Sequence, residues 1–218
     1  MLNVLVMSSD GYEDCWKPFS ILYNKYFPNI YKTYIVTETK TCPYFDTIKK
    51  TGAWTKRLKE ALQELDSEYV LLMLDDYFIH DKVDLERIKE TLRLFDDKTA
   101  TFNFELNYRN AETLRWPYFW KKQYNNQEYL NSTQPSIHNR LKLIERLDKD
   151  QTPWEWELTK LDSKYYFFIN DGKPIINTGY DLSHKPWGIV HGKWSRETKE
   201  LFDKEEITID YEKRGFYN

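Results

Sequence analysis

The sequence predicts an α/β fold, a single domain with a central, mostly parallel sheet flanked by helices. Three observations carry this expectation. Short apolar runs of β-forming residues alternate with segments of helical period. One of those runs, Tyr69 to Leu74 (YVLLML), holds no charged residue, as strands covered on both faces do. The length of 218 residues suits one domain and leaves little room for a second independent core.

Asn3 to Ser8 (NVLVMS) reads as a buried first strand opening into the polar loop Ser8, Ser9, Asp10 and Gly11. Cys15 to Tyr26 carries Trp16, Phe19, Ile21, Leu22 and Tyr26 at helical spacing, with Pro18 permitted in the first turn. Tyr34 to Thr37 is a second strand, which completes a βαβ unit if it runs parallel to the first. Trp54, Leu58, Ala61, Leu62 and Leu65 then mark one apolar face of a helix, and the uncharged strand after it ends in Asp75 and Asp76. Val83 to Leu94 returns to helical period with Asp84 at its start, and Thr99 to Phe104 alternates as a strand. Asn107 to Asn131, rich in Tyr, Trp, Asn and Lys, reads as an irregular or β-containing excursion. Ser136 to Leu147 reads as a helix, Pro153 to Leu158 as another with proline in its first turn, and Tyr165 to Ile169 as a strand. Beyond that the chain is polar and turn-rich, with Gly172, Gly179, Gly188 and Gly192.

Composition narrows the function classes. A formal charge of -3 gives no global basic field, which argues against a polyanionic partner held by charge alone. No stretch approaches the roughly 20 apolar residues that span a bilayer, so neither a leader nor an anchor is expected. Cys15 and Cys42 lack metal-like spacing, which predicts a reducing, cytoplasmic setting. No Walker loop, GxGxxG, Cys-x-x-Cys or GxSxG is present, so hydride transfer, zinc binding and esterase chemistry lack their signals. With 8 Trp and 17 Tyr, the chain has ring surface to offer a ligand beyond ordinary aromatic packing.

Open α/β sheets bind ligands beyond the carboxyl ends of their strands, where Asp75 and Asp76 are expected. Adjacent carboxylates point to opposite sides of the strand direction, so one suits a ribose hydroxyl and the other a divalent cation (Mn²⁺ or Mg²⁺) bridging a diphosphate. The plainer alternative is a pair that caps the next loop. In PWEWEL, Glu155 and Glu157 are each able to deprotonate an acceptor hydroxyl, the alternative being glutamates that favour the helix dipole.

The ordered series NVLVMSSDGYED, TYIVTET, WTKRLKEALQELDSEYVLLMLDDYFI, QPSIHNRLKLIERL and TPWEWEL resembles the GT-A glycosyltransferases, of the small bacterial or phage type, over roughly residues 3 to 160. The resemblance implies a Rossmann-like fold with a nucleotide-sugar-binding half in residues 1–105, and an acceptor-binding half with a C-terminal tail in residues 106–218. It assigns Ser8, Ser9 and Asp10 to the base and ribose end of the donor, with Thr37 and Glu38 nearby. Trp54 and Arg57, and less so Lys56, fall near the diphosphate, beside Asp75 and Asp76. Glu155 is the preferred base, Trp154 and Trp156 with Glu157 form the acceptor side, and His191 joins Asp76 at the metal. Lys193 and Arg196 contact phosphate from the tail.

One departure stands out. The family's carboxylates lie two apart, whereas Asp75 and Asp76 are adjacent and Tyr77 holds the usual metal position. The implied activity is transfer of a sugar, with inversion, from a nucleotide-sugar donor (a UDP-sugar favoured) to a hydroxyl of a glycan, a small metabolite or a modified, hydroxymethylated nucleic-acid base. The competing readings are a carbohydrate- or nucleotide-binding module without turnover, and a nucleotidyltransferase. His80, His138 and His184 are left as surface, helix or loop residues.

Overall fold

The computed structural model describes residues 1–104, 111–116, 120–179 and 188–218, with 111–116 described by their backbone alone; His184 lies outside the described residues. Leu2–Met7 forms β1, buried along its whole length as its uncharged sequence requires. A 3-10 turn at Asp10–Tyr12 leads into α1, Glu13–Tyr26. This helix starts two residues before the predicted point, so Pro18 stands in its second turn and leaves the Asp14 carbonyl without an N–H from residue 18. Next come β2, Lys32–Thr37, and β3, Asp46–Lys49, a short strand absent from the sequence reading because Ile48 is its only buried residue. α2, Trp54–Glu64, and β4, Tyr69–Leu74, follow the prediction.

α3, Leu85–Arg93, is capped by Asp84, whose carboxylate accepts from the Arg87 amide at 3.1 Å. β5, Thr99–Asn103, β6, Ala111–Trp116, and β7, Trp120–Gln123, come next. The helix expected over Ser136 to Leu147 is instead a strand, β8 (Ser136–Asn139), followed by a shorter helix, α4 (Arg140–Glu145). Ile137 and His138 are 0% exposed between two strands, a burial that a surface helix would not give them, and Asn139 makes the switch by capping the Lys142 amide at 3.1 Å. α5 (Pro153–Leu158), β9 (Tyr166–Asn170), the hairpin of β10 (Ile189–Val190) and β11 (Lys193–Trp194), and α6 (Arg196–Lys204) complete the described chain.

The main sheet runs β3-β2-β1-β4-β8-β5-β9-β7-β6. Its strands share one direction except β8 and β7, which run against their neighbours, so the sheet is mostly parallel as expected. Successive residues of β1 face opposite layers. Val4 and Val6 join the core built with Phe19, Ile88 and Leu201 of α1, α3 and α6. Leu5 and Met7 join the core built with Leu58, Leu143 and Trp156 of α2, α4 and α5. No helix among the described residues is long and apolar enough to cross a membrane.

Candidate active site

β1 and β4 pair in parallel with Met7 opposite Leu74, so the residues after them, Ser8 and Asp75, emerge side by side. The Trp16 indole N–H donates to Ser8 Oγ at 2.7 Å, and Ser8 Oγ–H donates to Asp75 Oδ2 at 2.5 Å. Asp75 is only 3% exposed. Burial and the neighbouring charge of Asp76 push its carboxyl well above the ordinary range, while the Ser8 hydroxyl pulls the other way. Asp76 is half-buried; burial raises its pKa to about 6 against the pull of the Ile189 amide. Its Oδ1 is buried with no partner among the described residues.

The β10–β11 hairpin closes over this pair. His191 at φ 49 and Gly192 at φ 80 fill a two-residue turn of the type that matches strand twist. At the hairpin's base, Gly188 has φ +76, and a Cβ there would lie 2.3 Å from the Asp76 carbonyl oxygen. Only glycine fits that approach.

A cleft of about 890 Å³ opens at these strand ends. Of the residues singled out in the sequence, Ser8, Ser9, Trp54, Arg57, Asp75, Asp76, Trp154, Glu155, Glu157 and His191 line it; Asp10, Thr37, Glu38, Trp156 and Lys193 do not. Asp10 and Glu38 instead clasp two loops together. The Asp10 carboxylate accepts from the amides of Glu38, Thr39 and Lys40, and the Glu38 carboxylate accepts from the Asp10 amide. Desolvation works against ionisation of Asp10, but these bonds prevail and hold its pKa down to about 2. Thr37 Oγ–H ties the same loop to the Lys40 carbonyl at 2.6 Å. Arg57 is buried, donates to the Ser8 carbonyl at 2.7 Å and pairs with Glu38 at 3.3 Å, so it braces the first loop from beneath.

The segment expected on the acceptor side, Trp154 to Glu157, is arranged differently from that expectation. Trp156 is 1% exposed and packs 5.3 Å from the Trp54 ring, so it offers no face to a ligand. Trp154, by contrast, is 70% exposed at the cleft. Glu155 closes a capping box with Thr152, and the two Thr152 bonds at 2.8 and 2.9 Å lower its pKa. Glu157 Oε1 accepts from the Thr133 amide at 2.7 Å and hydroxyl at 2.8 Å, and Thr133 Oγ1 lies 3.1 Å from the Tyr77 hydroxyl. That chain of contacts connects Glu157 to the end of β4. Lys193 is exposed on β11, and Arg196 lies 5.8 Å from the Phe216 ring.

Sequence reasoning missed Tyr12, Trp16, Thr133 and Arg214. Arg214 grips Asp14 with two bonds of 2.6 and 2.7 Å, donates to the Gly11 carbonyl at 2.7 Å, and covers the Tyr12 ring at 4.5 Å. Burial, then Asp76 and Asp75, raise the Tyr12 hydroxyl to about 12, so it remains a donor at neutral pH.

No protein-family model matches the chain, and no curated protein matches it. Solved structures do. A nucleotidyl transferase from Methanothermobacter thermautotroptrophicus superposes with a TM-score of 0.52 at 10% identity, over 84% of this chain and 94% of that one. The fold is shared with a nucleotidyltransferase. The bifunctional IspDF from Campylobacter jejuni gives 0.43 at 14% identity over 68% of this chain, and residues 1–349 of TarS from S. aureus give 0.41 at 13% over 78%. The chain spans 43% of the Campylobacter protein and 60% of the TarS fragment.

A divalent cation fits the residues present in one specific way. Among the described residues no group of three His, Cys, Asp or Glu side chains converges as a ligand set. The unpartnered Asp76 Oδ1 is the available anionic oxygen, and Mg²⁺-like ions commonly take one or two carboxylates, completing their shell with water and substrate phosphate. Two adjacent carboxylates that resist joint ionisation are also a place where added positive charge is stabilising.

Proposed function

We propose that the chain is a glycosyltransferase that moves a sugar from a nucleoside diphosphate donor to an acceptor hydroxyl. The observation that carries this reading is the Asp75–Asp76 pair at the carboxyl end of β4, inside a cleft of about 890 Å³. The first loop favours it over nucleotidyl transfer. A triphosphate needs clustered amides or cations, whereas the first loop carries Asp10 and no basic residue, and α1 opens on Glu13 and Asp14.

In this reading Asp75, held by the Ser8 hydroxyl that Trp16 fixes in turn, accepts a hydrogen bond from a hydroxyl of the donor, and Tyr12 supplies a ring and a donor hydroxyl at the same end. Asp76 would hold the cation, which supplies positive charge to the departing diphosphate. Glu157 takes the base role that the sequence resemblance implied for Glu155, because its Thr133 contact connects it to the Tyr77 hydroxyl beyond β4, whereas Glu155 is turned to the Thr152 cap and its pKa is lowered. Glu157 orients through Thr133 toward the β4 end and receives the acceptor proton as the new bond forms on the face opposite the leaving group.

The test pairs thermal shift with product analysis. UDP- or GDP-sugars raise the melting temperature, and Asp76→Ala abolishes that rise. Turnover releases a nucleoside diphosphate, and Glu157→Gln slows transfer by about 10²–10⁴ while the thermal response persists. Release of pyrophosphate would transfer the reading to nucleotidyl chemistry. Stabilisation without any turnover would leave a binding module.

A further inference from the structure

We infer that the acceptor side of the cleft takes a neutral, polyhydroxylated carbohydrate laid against Trp154, and excludes polyanions such as nucleic acid. This rests on the transferase reading above and names its acceptor class. Trp154 is the most exposed large apolar side chain among those described, at 70%, yet it stands at the cleft on a short helix that is firmly placed. Pro153 and the Thr152–Glu155 capping box fix that helix at its start, and the buried Trp156 locks it to Trp54. A rigid indole left in water is a ready surface for a flat apolar face, and the C–H face of a sugar ring is such a face.

The neighbours suit hydroxyls. Gln134 Nε2 lies 3.3 Å from the Tyr77 hydroxyl, which lies 3.1 Å from Thr133 Oγ1, which in turn donates to Glu157. This row of amide, hydroxyl and carboxylate groups can exchange donors and acceptors with a polyol. Charge decides against phosphates. Among the described lining residues, Asp75, Asp76, Asp150, Glu155 and Glu157 stand against one guanidinium, that of Arg57, which bonds the Ser8 carbonyl and pairs with Glu38. A phosphodiester next to Asp150, Glu155 and Glu157 would meet like charge, with no lysine among the described lining residues to answer it. The lysines of the aromatic, basic segment lie elsewhere: Lys121 and Lys122 are on β7, separated from β4 by β8, β5 and β9, and Lys121 pairs with Asp171 at 2.8 Å.

The test titrates the intact chain with neutral oligosaccharides of glucose, galactose and N-acetylglucosamine, with a single-stranded oligodeoxynucleotide, and with inorganic polyphosphate, at low and high salt. At least one neutral series binds with an affinity indifferent to salt. Trp154→Ala weakens it about tenfold, as loss of one stacking face should, and Trp154→Phe restores most of it. The side chain is exposed, so both variants fold. The inference is overturned by oligonucleotide or polyphosphate binding with a steep salt slope, by failure of every neutral series, or by an unchanged affinity in Trp154→Ala. Nucleotide thermal shift on the same sample separates the two claims. Stabilisation by nucleotide without sugar binding sinks the acceptor class alone, whereas sugar binding without a nucleotide response sinks the transferase reading.

Discussion

Gly188→Ala probes how tightly the hairpin is seated on the carboxylate pair. The residue sits at φ +76, where an L side chain costs about 1–2 kcal/mol. Its new Cβ would stand 2.3 Å from the Asp76 carbonyl oxygen and 3.3 Å from the carbonyl carbon, both backbone atoms that cannot swing aside. Relieving that overlap displaces a packed segment, a further cost of about 1–3 kcal/mol. The sum is about 2–5 kcal/mol, or roughly 5–15 °C in melting temperature for a chain of this length. Gly192→Ala is the control. It has a similar φ of +80 but nothing within 4 Å of the added Cβ, so only the conformational cost of about 1–2 kcal/mol remains. Melting followed by circular dichroism gives the two drops. Because the Ile189 amide holds the Asp76 carboxylate, Gly188→Ala also blunts the nucleotide response that the proposed function expects, whereas Gly192→Ala leaves more of it. Equal drops in melting temperature for the two variants would refute the claim that the hairpin is pressed onto Asp76.

Arg214→Ala removes two bonds to a mostly buried Asp14 and one to the Gly11 carbonyl, so unfolding free energy falls by about 1–3 kcal/mol and nucleotide affinity weakens as the first loop loosens. Arg214→Lys recovers little because an ammonium cannot make the paired contact, and urea denaturation of the single and Asp14→Ala double variants should show non-additivity. His138 is buried, and desolvation, then Arg146, holds its pKa well below 6.5. The unfolded chain therefore binds a proton that the folded chain refuses as pH drops below about 6.5, and this site removes stability at up to about 1.4 kcal/mol per pH unit. The raised carboxyls of Asp75 and Asp76 act in the opposite sense, so the measurement is the difference in stability between wild type and His138→Gln across pH 7 to 5. A pH-independent difference would refute the buried, neutral imidazole.

The parts of the site that were legible in the sequence are those with a local cause. β4 shows itself as six residues without charge, so the carboxylates that follow had to stand at a strand end, and the PWEWEL helix declares its start through Thr152, Pro153 and Glu155. Other elements had no such signal. In β8 the period of LKLIERL runs back smoothly through Ser136 to Asn139, and four residues are too few to separate a strand from a helix. What makes them a strand is the gap between β4 and β5 that they fill. The hairpin of Ile189–Val190 and Lys193–Trp194 showed in the sequence only as Gly188 and Gly192 within a turn-rich stretch, and its landing place on Asp76 left no trace beyond Gly188. Arg214 left no trace at all, because its partner Asp14 is 200 residues away. The chemistry-bearing carboxylates thus come from local sequence, while the groups that seat the segments around them, Gly188 against the Asp76 backbone and Arg214 on Asp14 and the Gly11 carbonyl, have purely tertiary reasons. Variation at those holding positions should therefore disturb nucleotide binding more than their own chemistry would suggest.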